Sequence, residues 1–290
     1  DTRNPWTSSE REAIITSALN EDERSRVQFI YVRDYFYLNN MWLADVQQQI
    51  AEVTDGCEDS KICNIGAVND FPQWHFIEMK HNKKFERATK IRELYFTHDN
   101  FYKTCVMPQV AEYLESFKKT ENFRNLKNGF DYLTDYMARW VGAPNPPTFV
   151  TVDSIVIRSG HVLVVRRKGA LGKGLIALPG GFLNQRERTK EGALRELKEE
   201  TGIKVSKEEL SGAIAGQDIF DHPDRSLRGR TITHGFFIDL GRGPLPNVKG
   251  NDDADKAWWM KLNDLALNED QFFEDHFHII NYFVGSPFMK

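Results

Sequence analysis

The stretch Gly181-Phe-Leu-Asn-Gln-Arg-Glu187-Arg-Thr-Lys-Glu-Gly-Ala-Leu-Arg195-Glu196-Leu197-Lys-Glu199-Glu200-Thr-Gly202-Ile203 decides how the second half of the chain is read. A helix is expected to start between Glu187 and Thr189 and to stop at Gly202, the residue type best suited to the left-handed position after a helix end. On such a helix Glu196, Glu199 and Glu200 fall at i, i+3 and i+4, so their carboxylates share a face. Ala193, Leu194 and Leu197 occupy the neighbouring arc and can anchor the helix to a core. Three carboxylates so close repel one another. Hard divalent cations with oxygen ligands, Mg²⁺ or Mn²⁺, relieve that repulsion, clamp a diphosphate and acidify a water.

With Leu178-Pro179-Gly180 ahead of it, this stretch resembles the Nudix family, hydrolases of nucleoside diphosphates linked to another group. The resemblance implies an α/β/α sandwich. It implies that Glu196, Glu199 and Glu200 hold the metal, one of them also serving as base. Arg195 and Glu187 would pair to brace the carboxylates, and Gly181 would let the loop pass close to metal and phosphate. The bland alternative is a solvated, Glu-rich surface helix. Any two of these Glu would fit it; the whole pattern does not.

Substrate choice must come from outside this stretch. Asp221-His-Pro-Asp-Arg-Ser-Leu-Arg228-Gly-Arg230-Thr231 resembles the loop of ADP-ribose-type Nudix enzymes. Arg228, Arg230 and Arg166 are therefore candidates for phosphate or the terminal ribose, against the reading of each as a solvated Arg. Asp252, Asp253 and Asp255 read better as a turn rich in Asp than as extra ligands. Around the helix, Phe149–Ile157 and His161–Arg166 read as strands joined through Ser159-Gly160, a hairpin signal. Ser211–Phe220, Thr231–Leu240 and Lys256–Met260 read as further strands, and 270–284 as a closing helix.

The first half, to about residue 140, alternates short apolar runs with helices, as a parallel-sheet α/β domain does. Thr7, Ser8 or Ser9 should cap a first helix, Val27–Val32 reads as a strand, and Lys61–Ile65 and His75–Glu78 read as short buried strands. Helices are expected over 42–50, 85–95, 102–117 and 123–140. The segments Asn4-Pro-Trp6-Thr-Ser-Ser-Glu-Arg11, Asp34 with Trp42, Phe71-Pro-Gln-Trp74 and Ala88-Thr-Lys-Ile-Arg92-Glu-Leu-Tyr-Phe96 resemble nicotinamide mononucleotide adenylyltransferases. More closely, they resemble the bifunctional bacterial and phage type with a C-terminal Nudix domain. That implies a Rossmann-like nucleotidyltransferase domain. Trp42 would stack on the nicotinamide ring, Trp6 and Asp34 would line the mononucleotide pocket, and Arg92 would meet ATP phosphates.

The chain departs from that type. It has no His-x-Gly-His phosphate loop after a first strand, carries Arg87 where Ser is usual, and passes through Ala67-Val-Asn-Asp70 without the family's longer loop. Either the transferase half is inactive, or the strand and loops lie in chain that this sequence leaves out. The second is the expectation, because such substrate loops are mobile.

The chain of 290 residues thus divides into a nucleotidyltransferase-like domain over 1–141, a linker over 142–148 containing Pro144, Pro146 and Pro147, and a Nudix domain over 149–290. The resemblance implies a bifunctional enzyme. One half would make NAD from nicotinamide mononucleotide and ATP. The other would hydrolyse ADP-ribose to AMP and ribose 5-phosphate, with Mg²⁺ or Mn²⁺. Two rivals are a Nudix hydrolase of another nucleoside diphosphate beside an inactive first half, and a non-catalytic ADP-ribose-binding regulator. The intact acidic cluster weighs against the regulator. A net charge of −4 argues against nucleic acid or an anionic membrane as partner. Three Cys without metal-site spacing, and no export signal, point to a reducing cytoplasm. The reading admits a homo-oligomer.

Overall fold

The computed structural model describes residues 3–79, 86–250 and 254–285. The chain forms two compact units, Asp1–Phe130 and Asp131–Lys290.

In the first unit, helix α1 spans Ser8–Ala18. Its N-terminus is closed by a capping box: the Glu10 amide donates to the Thr7 hydroxyl, and the Thr7 amide to the Glu10 carboxylate. Helices α2 (Glu21–Ser25) and α3 (Asn39–Val53) follow. Strands β1 (Cys63–Gly66) and β2 (His75–Glu78) pair in parallel. Then come α4 (Ala88–Phe96) and α5 (Pro108–Phe117), with Pro108 at the first helical position, where its missing N–H costs nothing. Pro108 also explains why the expected helix over 102–117 is broken: a 3₁₀ turn, Asn100–Thr104, precedes it. The core here is aromatic: Tyr95, Phe96, Tyr102, Phe117 and Phe123 pack with Leu94 and Leu114.

Two expectations for this unit fail. Val27–Val32 is not a strand; Val27 and Tyr31 are exposed, and the Tyr31 carbonyl is taken by the Gln49 side chain instead of a ladder. Strands β1 and β2 are real but not buried, since among the described residues they pair only with each other.

Helix α6 spans Glu121–Ala138. The division between units falls within it, and Leu133 is buried against Val165, Leu171, Ala177, Ala257 and Phe273. Residues 142–148 then lie outside helix and strand. The second unit carries β3 (Phe149–Arg158), β4 (His161–Arg167), β5 (Ile176–Ala177), β6 (Gly180–Phe182), α7 (Thr189–Thr201), α8 (Lys207–Gly212), β7 (Ile214–Phe220), β8 (Thr231–Asp239), β9 (Ala254–Lys261) and α9 (His276–Gly285). The expected closing helix over 270–284 is shorter, because a 3₁₀ segment, Ala266–Gln271, precedes it.

The sheet runs β5-β4-β3-β8-β7, with β6 on β3 and β9 on β4. It is mixed: β3 is parallel to β8 and antiparallel to β4 and β6. Ser159 and Gly160, both with positive φ (46° and 73°), make the two-residue turn between β3 and β4, a twist that matches hairpin strands. Helix α7 buries Leu194 and Leu197 against Val156, Leu163 and Ile238 on one face. On the other, Phe283 of α9 stacks on Phe237 at 5.5 Å. With both faces covered, β3 is buried from Thr151 to Val156, including its polar residues. Gly202 ends α7 at φ 53°, as its residue type requires. Among the described residues no helix is long and apolar enough to cross a membrane.

Candidate active site

The turn Pro179-Gly180-Gly181 runs from β5 into β6 and meets the last two turns of α7. Gly180 presses on β3 so tightly that a Cβ there would lie 2.2 Å from the Val152 carbonyl oxygen. A Cβ on Gly181 would lie 2.6 Å from Glu196 Oε1, so only glycine lets the turn reach this carboxylate. Gly181→Ala is therefore expected to displace Glu196, a flexible side chain, rather than unfold the unit. Hydrolysis should fall by about a hundredfold with little change in melting temperature, checked by turnover and calorimetry on the same sample.

Arg195 organises the acidic side chains. Its Nε and Nη2 donate to the two Glu187 oxygens, each at 2.8 Å. Its Nη1 donates to Glu196 at 2.8 Å and to Glu199 at 2.9 Å. This pairing holds the Glu187 carboxyl down at about 2, well below the usual carboxylate range. Glu200 is different. It is buried and accepts a hydrogen bond from the Gly180 amide at 3.1 Å. Burial, foremost, and the negative charges of Glu196 and Asp153 push its carboxyl up to about 8. Burial also raises Glu196, and the carboxylates of Glu199 and Glu187 add to the rise.

The three helix carboxylates do not converge as the sequence suggests. Among the described residues no three His, Cys, Asp or Glu side chains are arranged to hold an ion. The Arg195 guanidinium stands between Glu196 and Glu199, while Glu200 turns to Gly180. The donor chemistry nonetheless fits a hard divalent cation. Two oxygen donors, Glu196 and Glu200, flank a glycine turn, and both are raised by burial and by neighbouring negative charge, a situation that an added cation relieves.

Of the arginines singled out from sequence, Arg166 donates to the Gly174 carbonyl at 2.6 Å and lies 5.3 Å from the Trp258 ring centroid. Arg230 is held by Asp221 through its carbonyl and, at 3.4 Å, its carboxylate. Arg228 pairs with Glu274 at 3.3 Å and sits 5.2 Å from the Phe182 ring centroid, beside Gly181. Asp252 and Asp253 lie outside the described residues, as does the side chain of Asp255.

The residue next to Arg166 is the one that sequence reasoning missed. The Arg167 guanidinium is 3.9 Å from the Phe273 ring centroid, and it feels Glu274, Glu200 and Asp153 electrostatically. Asp153, buried in the middle of β3, accepts from the Thr233 hydroxyl at 2.6 Å, and burial raises its carboxyl from its ordinary value. A charged residue inside the apolar run of β3 was the available signal. Arg225 and Asp275 form a two-pronged buried ion pair, both contacts at 2.9 Å. His276 Nδ1 accepts from the Leu178 amide at 2.8 Å, bracing the strand that leads into the glycine turn.

Burial lowers His276 to about 3. It is neutral in the folded unit and takes up a proton on unfolding below the ordinary histidine value near 6.5. The unfolded state thus binds more protons between about pH 3 and 6.5, so stability falls with falling pH by up to about 1.4 kcal/mol per unit in that window. His276→Gln is expected to remove this one-proton slope, read as the difference between the two proteins in urea unfolding from pH 4 to 8.

In the first unit the candidates fall into two groups. Trp6 packs 6.4 Å from Tyr95 and 6.2 Å from Phe117, with its indole N–H buried and unpaired. Arg92 lies one helical turn before Tyr95 on α4 and touches the Thr89 hydroxyl at 3.4 Å. Trp42 belongs elsewhere, 5.7 Å from Phe71, which stacks on Trp74 at 4.3 Å; Trp74 donates to Asp59 at 2.8 Å. Asp34 is exposed.

The NUDIX domain model matches residues 147–283. The ADP-ribose pyrophosphatase of Methanocaldococcus jannaschii is 35% identical over 130 residues, 44% of this chain and 72% of that protein. The nicotinamide/nicotinic acid mononucleotide adenylyltransferase of Acinetobacter baylyi is 22% identical over 136 residues, 44% of this chain and 70% of that protein. Across nearly the whole chain, the crystal structure of a bifunctional NMN adenylyltransferase/ADP ribose pyrophosphatase from Francisella tularensis, complexed with AMP and a manganese ion, superposes with a TM-score of 0.88. It is 32% identical and covers 98% of this chain and 86% of that one. With both units accounted for in a single relative, the chain belongs to the family of bifunctional NMN adenylyltransferase/ADP-ribose pyrophosphatases, and its second unit is a NUDIX domain.

Proposed function

We propose that the second unit hydrolyses ADP-ribose to AMP and ribose 5-phosphate with Mg²⁺ or Mn²⁺, and that the first transfers an adenylyl group from ATP to nicotinamide mononucleotide, giving NAD and diphosphate. The observation that carries the hydrolase reading is the Gly180-Gly181 turn held against Glu196 and Glu200, with Arg195 bracing Glu187, Glu196 and Glu199.

Glu196, Glu199 and Glu200 are the oxygen donors for the ion, which when bound withdraws charge from the diphosphate and acidifies a water. Gly181 brings backbone close to the phosphate. Arg195, locked by Glu187, keeps the carboxylates in register. Glu200, desolvated and tied to Gly180, is the group suited to accept the proton of the attacking water. That water's oxygen bonds to one phosphorus as the bridging P–O bond breaks, and the bridging oxygen leaves on the other phosphate. Arg228 and Arg230 offer positive charge to the second phosphate or the terminal ribose, and Arg166 is a third such group.

In the first unit Trp42, supported by Phe71 and Trp74, offers a flat face to the nicotinamide ring. Trp6 has an unpaired N–H for the mononucleotide, Asp34 is free to meet its hydroxyls, and Arg92 takes ATP phosphate. Chemistry of this kind depends on positioning more than on covalent help.

Steady-state assays over ADP-ribose, NADH and dinucleoside polyphosphates with Mg²⁺ test the first activity. ADP-ribose is expected to give the highest kcat/KM, with AMP and ribose 5-phosphate as products. Preference for a dinucleoside polyphosphate or NADH would overturn that choice. Formation of NAD from ATP and nicotinamide mononucleotide tests the second.

A further inference from the structure

We propose that Glu274 is a positioning residue for the hydrolytic reaction: its carboxylate fixes the Arg228 guanidinium beside the glycine turn, ready for a phosphate oxygen of the substrate. The proposal rests on the reading of residues 181–200 as the diphosphate site and of Arg228 as a group that meets the substrate.

The backbone points to Glu274 first. Four non-glycine residues among those described have a positive φ: Asp55, His98, Ser159 and Glu274. The first three are exposed. Glu274, at φ 47°, instead has a side chain that is only 3% exposed. Glu disfavours that region, so the surroundings must hold it there, and such enforced conformations gather at functional sites. Its neighbours supply the hold. The Phe273 amide donates to the Ile176 carbonyl at 2.8 Å, Asp275 grips Arg225 through two contacts, and His276 accepts from the Leu178 amide. Residues 273–276 are therefore tied both to the approach to the glycine turn and to the segment 221–230 between β7 and β8.

Glu274 is not needed to fasten that segment, because the buried Arg225–Asp275 pair already does so. Its carboxylate has a different task. It accepts from the Ser226 hydroxyl at 2.7 Å and from Arg228 Nη2 at 3.3 Å, and Arg228 Nε donates to the same hydroxyl at 3.2 Å. One edge of the guanidinium, Nε with Nη2, is thus anchored. Nη1 has no hydrogen-bond partner among the described residues. The guanidinium carbon lies 5.2 Å from the ring centroid of Phe182, the residue after Gly181, and 5.9 Å from that of Phe273. The Phe273 ring also carries Arg167, at 3.9 Å. Two cations on one ring repel each other, and the Glu274 carboxylate offsets that repulsion. A fork locked along one edge and free on the other takes an anion with less loss of side-chain freedom than a mobile one.

The test is a double-mutant cycle in the full chain, with ADP-ribose and Mg²⁺. Glu274→Gln is expected to raise KM about tenfold with kcat within about twofold, because a charge-assisted anchor becomes a neutral one. Arg228→Ala is expected to raise KM at least as far. Adding Glu274→Gln to Arg228→Ala should then change KM by less than about twofold, since the route from Glu274 to the substrate is already gone. Effects that multiply, or an unaltered KM in either single variant, would overturn the role. Glycine is at home at φ 47°, so Glu274→Gly decides the matter even where the Gln variant does not fold. Should the unaltered chain not hydrolyse ADP-ribose, the hydrolase reading fails by itself, and the same cycle is read from the dissociation constant of ADP-ribose in calorimetry. Coupled losses there uphold Glu274; independent losses, or no binding by the unaltered chain, overturn it.

Discussion

Glu200→Gln is expected to lower kcat for ADP-ribose hydrolysis by about a thousandfold while leaving the fold intact. The side chain is buried, and the Gly180 N–H donates to it. A Gln at this position keeps an oxygen for that N–H and removes a carboxylate that burial and the charges of Glu196 and Asp153 already disfavour. Stability should therefore hold or rise slightly, because an unpaired buried charge costs more than a buried amide. On the proposed reading, the oxygen donor for the ion and the acceptor for the proton of water are lost. Single-turnover rates and a thermal melt on the same protein separate the two effects. A melt that collapses with activity would mean that Glu200 is structural, and unchanged turnover would remove it from the site.

The largest effect on stability belongs to a pair that does no chemistry. Arg225 and Asp275 are 2% and 1% exposed, and they meet through two contacts of 2.9 Å. Asp275→Asn leaves a guanidinium in the interior with its main countercharge gone, which costs about 3–5 kcal/mol. For a unit of this size the melting temperature should drop by roughly 10 °C. Replacing both residues with apolar side chains, Arg225→Met with Asp275→Leu, is expected to recover most of the loss, since neither charge is then stranded. A single variant within about 1 kcal/mol of the unaltered protein in urea unfolding would show that the pair is hydrated or flexible.

Where structure is local, the residues announce it. Gly202 ends α7 in the left-handed region and Gly160 completes the turn from β3 into β4, both as glycine allows, while Ser159 takes a positive φ that its type disfavours. Thr7 and Glu10 close a capping box. The readings that failed depend on partners far away in sequence. Val27–Val32 has strand-forming residues but joins no strand ladder among the described residues, and its Tyr31 carbonyl is taken by the Gln49 side chain. Nothing in the order of residues distinguishes Arg166 from Arg167; successive residues on β4 point to opposite faces, and only the packed sheet shows that Arg167 is the one near Glu200 and Asp153. His276 reads as an ordinary helix residue until Leu178, nearly a hundred positions earlier, is seen to donate to it. The acidic helix itself was legible as a pattern, yet the pattern could not say that Arg195 would stand between Glu196 and Glu199.

We propose that Glu196 and Glu200, at the Gly180-Gly181 turn, hold the ion that hydrolysis needs. It is tested most directly by a crystal of the full chain grown with Mn²⁺ and AMP, with manganese located by its anomalous scattering. An anomalous peak is expected against the Glu196 and Glu200 carboxylates, with the AMP phosphate beside it and Glu199 drawn off Arg195 toward the ion. A crystal with AMP bound and manganese elsewhere, or with Glu196 and Glu200 still turned only to Arg195 and Gly180, would contradict it.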